Sequence, residues 1–272
     1  MEVQETINYS FVDASLLGNW QMQSGSLAIA NPLSAEMAVM RTSLLPGLVE
    51  TLKNNSARQQ TRLRLFEFGR VFVNQDASPP IERQSFSAVF CGNAMPELWS
   101  GKSAPVDFYD IKAVLDSALL RVGFKATYAP SNKAYLHPGR SADVVVDGKS
   151  VGVIGALHPG LNNTLDLPAD VYVFEIDLDA LPMRTLPKAG AISSFPSVRR
   201  DLALIVPESV LWSQLENTVR QTLGSKLQSI SIFDEYRGAG LQENTKSLAI
   251  GLILHDISRT LNDVDVEQSV SE

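Results

Sequence analysis

The stretch TRLRLFEFGRVFV, residues 61–73, decides how the larger part of this chain is read. Its β-forming residues are flanked by Arg62, Arg64 and Arg70, and only Gly69 interrupts them. The pattern predicts one long strand, or a hairpin broken at that glycine. A carboxylate, Glu67, sits inside the apolar run. Such a group is a functional-site signal, but pairing with Arg64 or Arg70 at a strand edge is the commoner arrangement.

Working outward, TINYSFV (6–12) alternates apolar and polar residues, which places Ile7, Tyr9 and Phe11 on one face of a strand. NPLSAEMAVMRTSLLPGLVETLKNNSARQQ (31–60) reads as loop then helix. Pro46 suits the first helical turn, Leu48, Val49 and Leu52 form the apolar stripe, and KNNS ends it. Downstream, FSAVFCG (86–92) is a further strand. VDFYDIKAVLDSALLRVGF (106–124) is the clearest helix, with Asp107 as N-cap, Asp110 three positions on, and Gly123 as stop. Ile111, Val114, Leu115, Ala118 and Val122 are expected to face inward. SADVVVDGKSVGVIGAL (141–157) is a hairpin turning at Asp147-Gly148, and VYVFEIDLDAL (171–181) supplies one more strand.

Residues 182–194, PMRTLPKAGAISS, carry prolines and small residues without apolar periodicity and read as a linker between domains 1–181 and 195–272. Beyond it come strand DLALIV, helix VLWSQLENTVRQTLG, strands SISIFDEYRG and SLAIGLILHD, and a helix from about Asn262. That order is a ferredoxin-like split βαβ unit. It ends mid-helix at VEQSVSE, so the unit is expected to be truncated at its C-terminus, and the opening on a strand suggests a cut start as well.

The chemistry-bearing residues are sparse. LHPG occurs at 136–139 and again at 157–160, but His137 and His158 have neither metal-ligand spacing nor a nucleophile elbow between them. They read as turn and cap residues around the hairpin, with Pro159 opening a short helix. RGAGLQ (237–242) lies between two strands and reads as a turn rather than a phosphate loop. DVDVEQ (263–268) is a solvated helix face. With one cysteine, Cys91, neither an internal disulfide nor a Cys-rich zinc site is possible. No catalytic residue and no metal ligand is assigned.

Composition is that of a soluble globular protein, 44% hydrophobic and 19% charged, with net charge −7. The N-terminus carries no secretory or transit pattern, and the longest apolar run, LAIGLIL (248–254), is too short to cross a bilayer. The reading is cytoplasmic, with no membrane partner. An acidic chain is not a generic nucleic-acid coat, but it is compatible with RNA contact at chosen points.

Residues 31–72, from NPLSAEMAVMRTSLLPGL to RLFEFGRVF, resemble the synthetase-like core of the β subunit of bacterial phenylalanyl-tRNA synthetase. SSFPSVRRDLALIVPE and IFDEYRGAGLQENTKSLAIGLILHDISRTLND are similar to that subunit's ferredoxin-fold anticodon-binding domain. DFYDIKAVLDSAL, LHPGRSA and GVIGALHP stand between them in family order. The resemblance implies an α+β architecture: a class II synthetase-like antiparallel sheet with flanking helices, then the anticodon-binding unit. It implies a heterotetramer of two α and two β subunits that uses ATP and magnesium to attach phenylalanine to tRNA(Phe), with the active site in the α subunit. The family's β subunit also has editing and magnesium-associated domains N-terminal to the matched region, and no residue here is assigned to either.

By that resemblance this chain is a non-catalytic scaffold that binds no cofactor itself. Class II chemistry needs an arginine–glutamate pair on the long strand and a Gly-rich segment ending in arginine. Leu65 and Phe66 precede Glu67 here, and the first domain contains no GxGxxR. Without two fixed guanidinium groups the transferring phosphate charge is uncompensated. The resemblance places Leu44, Leu45, Leu48 and Leu52 near the intersubunit core, the alternative being that the helix packs on its own sheet. It nominates Phe195, Arg199, Arg200, Arg237, Lys246 and Arg259 for tRNA binding. Carboxylates outnumber Lys and Arg between residues 191 and 272, so any RNA patch must be local. The competing function is a non-catalytic amino-acid sensor on a synthetase-like domain.

Overall fold

The computed structural model describes residues 3–75, 78–99, 101–168, 170–184 and 193–271. The chain forms two compact units, Met1–Leu186 and Pro187–Glu272. Most of the stretch read as a linker, residues 185–192, lies outside the described residues. Both units are of mixed α and β structure. Among the described residues no helix is long and apolar enough to cross a membrane.

The large unit runs β1 (Gln4–Glu5), β2 (Phe11–Val12), α1 (Ala14–Asn19), β3 (Leu27–Ala28), β4 (Val39–Met40), α2 (Leu45–Ser56), β5 (Leu63–Gln75) and β6 (Ser78–Cys91). It continues with α3 (Phe108–Arg121), β7 (Thr127–Pro130), β8 (Leu136–Val146), β9 (Lys149–Leu157), α4 (Pro159–Thr164) and β10 (Val171–Asp177). Seven strands form one sheet in the order β1-β5-β6-β10-β9-β8-β7. Only the β1–β5 pair is parallel.

The long central run is a single unbroken strand. Gly69 pairs with Ser85 in ordinary register and does not split it. The glycine serves a different purpose: a Cβ there would lie 2.3 Å from Nη2 of Arg41, so the bare backbone makes room for a guanidinium laid across it.

Each sheet face has its own core, because side chains alternate along the strands. On one face α2 packs with Trp20, Leu63, Leu65, Val89 and Val173. On the other α3 packs with Phe90, Val144, Ile154 and Phe174. The α3 capping box is present, with Asp107 accepting from the backbone of Tyr109 and Asp110 while Asp110 accepts from the Asp107 N–H. Its buried stripe is Ile111, Leu115 and Leu119, whereas Val122 is 42% exposed. Strict i, i+4 steps carry the stripe to Leu119, and the chain has already left the helix at Val122. Gly123, at φ 90°, follows it. Asp147 and Gly148, at φ 48° and 77°, make the hairpin turn between β8 and β9.

Two expectations are corrected here. Residues 6–10 are not strand, and Ile7 and Tyr9 are 92% and 74% exposed. Backbone bonds hold the segment at Thr6 and Ser10, but at Asn8 side chains replace the ladder: its N–H donates to Glu67 and its carbonyl accepts from Arg41. The leucines expected at a subunit interface, Leu44, Leu45, Leu48 and Leu52, are all fully buried within the large unit against its own sheet. Side chains already covered in a single chain offer no surface to a second one.

The small unit runs β11 (Val198–Pro207), α5 (Trp212–Leu223), β12 (Leu227–Tyr236), β13 (Thr245–Leu254) and α6 (Asp263–Ser271). The strands form an antiparallel sheet in the order β11-β13-β12. This places the third strand between the first two, as a split βαβ unit requires. Leu248, Ile250, Leu252 and Leu254 form the buried stripe of the central strand, and Trp212, Leu215, Val219 and Leu223 of α5 pack with it. RGAGLQ is the β12–β13 connection, with Gly240 at φ 95°.

Leu48→Ala is expected to destabilise the large unit of the chain by about 2–5 kcal/mol, the range for emptying a buried leucine site. Urea unfolding of the chain without any partner checks this. An unchanged midpoint would return these leucines to an interface.

Candidate nucleic-acid surface and the polar face of the large sheet

Alternation along β11 separates two faces of the small sheet. Val198, Arg200, Leu202, Leu204 and Val206 lie on the side of the apolar core, while Arg199, Asp201, Ala203 and Ile205 are exposed on the other. Opposite the exposed set, the central strand places only small or aliphatic side chains: Ser247, Ala249, Gly251 and Ile253. The vacant Cβ position of Gly251 is ringed by Asp201 Oδ1, Arg199 Nη2 and Ser231 Oγ at 3.2, 3.3 and 3.4 Å. The result is a low floor with polar walls.

Aromatic groups border that floor. The Arg199 guanidinium lies over the Phe233 ring, 5.7 Å from its centroid. Phe233 is 54% and Tyr236 49% exposed. A register shift between Ile232 and Asp234 makes Phe233 the extra residue of a bulge. Beyond it the alternation is reset, and Tyr236 pairs with Ser247 on the open face. Period-two counting would have put Phe233 and Tyr236 on opposite faces, and a bulge leaves no mark in the pattern. These two aromatic residues were absent from the sequence-derived set for that reason.

The sequence-derived set does not form one patch. Arg199 is on the open face and is held by Asp201 at 2.8 Å. Arg200 points to the core side and donates to the Arg199 carbonyl. Arg237, in the β12–β13 turn, pairs with Glu235 at 2.8 Å and Glu208 at 3.7 Å. Arg259 is held by Asp265 at 2.9 Å and lies 3.9 Å from Asp256, and these carboxylates raise its affinity for its proton. Phe195 is partly exposed, with its N–H donating to Ser193. Lys246 is the correction: it is buried, because it opposes Val206 on the core side of the sheet, and it offers no cation to an outside ligand.

On the large sheet, the polar groups gather beside α2. Glu67 is buried and accepts from Arg41 at 2.6 Å and from the Asn8 amide at 2.6 Å. Pairing with Arg64 or Arg70 is excluded by parity, since both leave β5 on the opposite face. Arg70 pairs instead with Glu82, and Arg64 lies over Phe90. Further along the α2 face, Glu175 accepts from the Leu44 N–H and the Ser43 hydroxyl, both at 2.7 Å, and from Ser87 at 3.1 Å. It borders an open cavity of about 300 Å³ shared with Thr42, Val73, Arg83, Tyr135 and Asp177. The arginines near this face are committed, Arg83 to Asp177 and Arg41 also to the Arg70 carbonyl, while Lys133 lines the same cavity. His137 and His158 are spent on their own turns, each accepting through Nδ1 from the glycine N–H two residues on.

The family described as phenylalanyl tRNA synthetase beta chain CLM domain matches residues 1–178, and the ferredoxin-fold anticodon binding domain family matches residues 193–272. The phenylalanine–tRNA ligase beta subunit of Xanthomonas oryzae pv. oryzae is 50% identical over 273 residues, covering 100% of this chain and 34% of the relative. That of Xylella fastidiosa is 49% identical over the same span with the same coverage. The chain therefore spans about a third of the length of the curated relatives it matches.

The enclosed Glu175 supports a prediction of pH dependence. Burial pushes its carboxyl above the usual range, partly offset by the Leu44 N–H and the two serine hydroxyls. An acid that holds its proton more tightly folded than unfolded contributes stability at low pH, and this is lost as pH rises from the unfolded value of about 4.3 through the native one. Glu175→Gln should remove that component, so its melting temperature declines less across this window than that of the unmodified chain. Parallel melting profiles would show that burial does not govern this group.

Proposed function

Because the chain belongs to the β-chain family of phenylalanyl-tRNA synthetases, we propose that it is a non-catalytic scaffold and tRNA-binding part of a phenylalanine–tRNA ligase. In this reading a separate α subunit carries the active site, ATP and magnesium, two copies of each subunit assemble in the cytoplasm, and tRNA(Phe) is the nucleic-acid ligand. The observation that carries the reading is the open face of the small sheet. Its floor of Gly251, Ala249 and Ser247 lets a flat base approach the backbone, and Phe233, Tyr236 and Arg199 offer stacking surfaces and a cation beside it.

The non-catalytic role is supported on the α2 face of the large sheet. A phosphoryl-activating site needs guanidinium groups free to meet developing charge. Arg41 is consumed by Glu67 and two backbone carbonyls, and Arg83 by Asp177. For the α subunit, we assign the docking role to exposed Ile7 and Tyr9, which flank the Asn8 bonded to Glu67 on β5, and to half-exposed Phe68 one residue further along that strand.

Replacing Arg199 and Phe233 with alanine in the assembled ligase should weaken tRNA(Phe) binding by roughly tenfold or more, since one stacked base is worth about 1–3 kcal/mol. Lys246→Met should leave that affinity within twofold. Equilibrium binding at fixed salt measures both. Unchanged affinity in the Arg199/Phe233 variant would remove the open face from the tRNA site.

A further inference from the structure

The end of α2 and the start of β5 enclose a second polar site, on the large unit and built from residues other than those assigned to tRNA above. A cavity of about 230 Å³ is lined by Gln4, Asn55, Arg58, Gln60, Arg62 and Arg64. It presents three guanidinium groups and three amides, with no carboxylate in its wall. Among the described residues none of the three arginines is ion-paired.

Two of these arginines are incompletely satisfied. Arg64 is only 8% exposed, and its buried Nε has no acceptor. The Nε of Arg62 is likewise buried without one. Their remaining protein contacts are modest: both donate through Nη2 to the Ala94 carbonyl, Arg62 at 3.4 Å, and Arg64 stacks on Phe90. Burial and the neighbouring Arg62 charge pull the Arg64 guanidinium below its usual affinity for protons. Asp110 acts on Arg64 from a distance, but one of its oxygens is used by the Asp107 N–H in the α3 cap. Donor-only groups of like charge that share one carbonyl and have no anionic partner call for an anion with several oxygens.

A phosphate meets that requirement, and the surroundings favour one belonging to RNA. The Ala94 carbonyl that both arginines grip begins the connection carrying Trp99, whose side chain is 99% exposed. Trp99 lines a separate cavity with Asn93, Glu97 and Lys102 on that connection, so it offers a stacking surface to a nucleotide further along a bound strand, which a free inorganic anion could not use. We infer that Arg58, Arg62 and Arg64 form a phosphate site on the large unit that takes a phosphodiester of the tRNA backbone. The inference rests on the tRNA-binding reading above but uses separate residues.

The test is tRNA(Phe) binding by the assembled ligase over a salt series, comparing Arg58→Gln/Arg62→Gln with the unmodified protein. Arg58 is exposed and Arg62 partly so; Arg58→Glu alone serves as a second variant should the pair fail to fold. Losing one or two phosphate contacts should flatten the slope of log affinity against log salt by about 1–2 and weaken binding roughly tenfold at moderate salt. The loss should be equal for tRNA with an altered anticodon, because a phosphate carries no sequence information. Unchanged affinity and slope in these variants, while the Arg199/Phe233 variant weakens binding, would overturn this inference and leave the proposed function standing. Absence of tRNA binding in the unmodified ligase would overturn both. If inorganic phosphate raises the melting temperature of the unmodified protein only, and the variants still bind tRNA normally, the site serves a free anion and the assignment to RNA is overturned.

Discussion

The ion pair between Arg41 and Glu67 is the constraint on which the large unit turns. Arg41 stands between β4 and α2, and Glu67 in the middle of β5; both are almost wholly buried. A buried pair is tolerated only when the remaining donors and acceptors are also met. Here they are: Arg41 reaches the carbonyls of Arg70 and Asn8, and Glu67 takes the side chain and backbone N–H of Asn8. The Arg41 backbone adds bonds to Ser10 and Phe72. The N-terminal segment, the entry to α2 and the long strand are thus fixed by one cluster, and Gly69 is the residue that leaves room for it.

This cluster also bears on the non-catalytic role proposed for the large sheet. An arginine that closes a folding cluster cannot also swing toward a phosphate without leaving Glu67 as an uncompensated buried charge, a cost of several kcal/mol. The same unit shows the opposite arrangement at the start of β5. Arg62 and Arg64 are held by a single carbonyl, with no carboxylate to neutralise them. Arginines of one chain therefore divide by what they face: those paired to acids maintain the fold, and those left with a carbonyl retain donors for something outside it.

What could be read in the sequence was what is decided locally. The Asp107 capping box, the Asp147-Gly148 turn, Pro46 in the first turn of α2 and the succession of strands and helices in the small unit all depend on neighbours a few residues apart. The failures arose where a distant residue decides. Alternation in TINYSFV is real, but Glu67 and Arg41 take the backbone bonds that a strand would have needed. Nearness in sequence points Glu67 to Arg64 or Arg70, yet a strand sends residues three apart to opposite faces. The leucines of α2 carry the same apolar stripe whether they meet a sheet or another subunit, so periodicity could not choose between them.

The small unit shows how narrow the margin of such reading is for a binding surface. Consecutive arginines, Arg199 and Arg200, invite treatment as one basic patch, but the pleat sends one to the open face and the other to the core side. Lys246 follows the buried stripe for the same reason. One inserted residue at Phe233 then brings Tyr236 onto the face that simple alternation denies it. The open surface that results holds one arginine already balanced by Asp201, so it has little net field to attract RNA from a distance. In the proposed tRNA-binding role its selectivity would come from shape and stacking at contact. If this sparse, aromatic face is the tRNA surface proposed above, then on an acidic chain the backbone charge of the tRNA has to be met elsewhere, by cations that the fold leaves uncommitted.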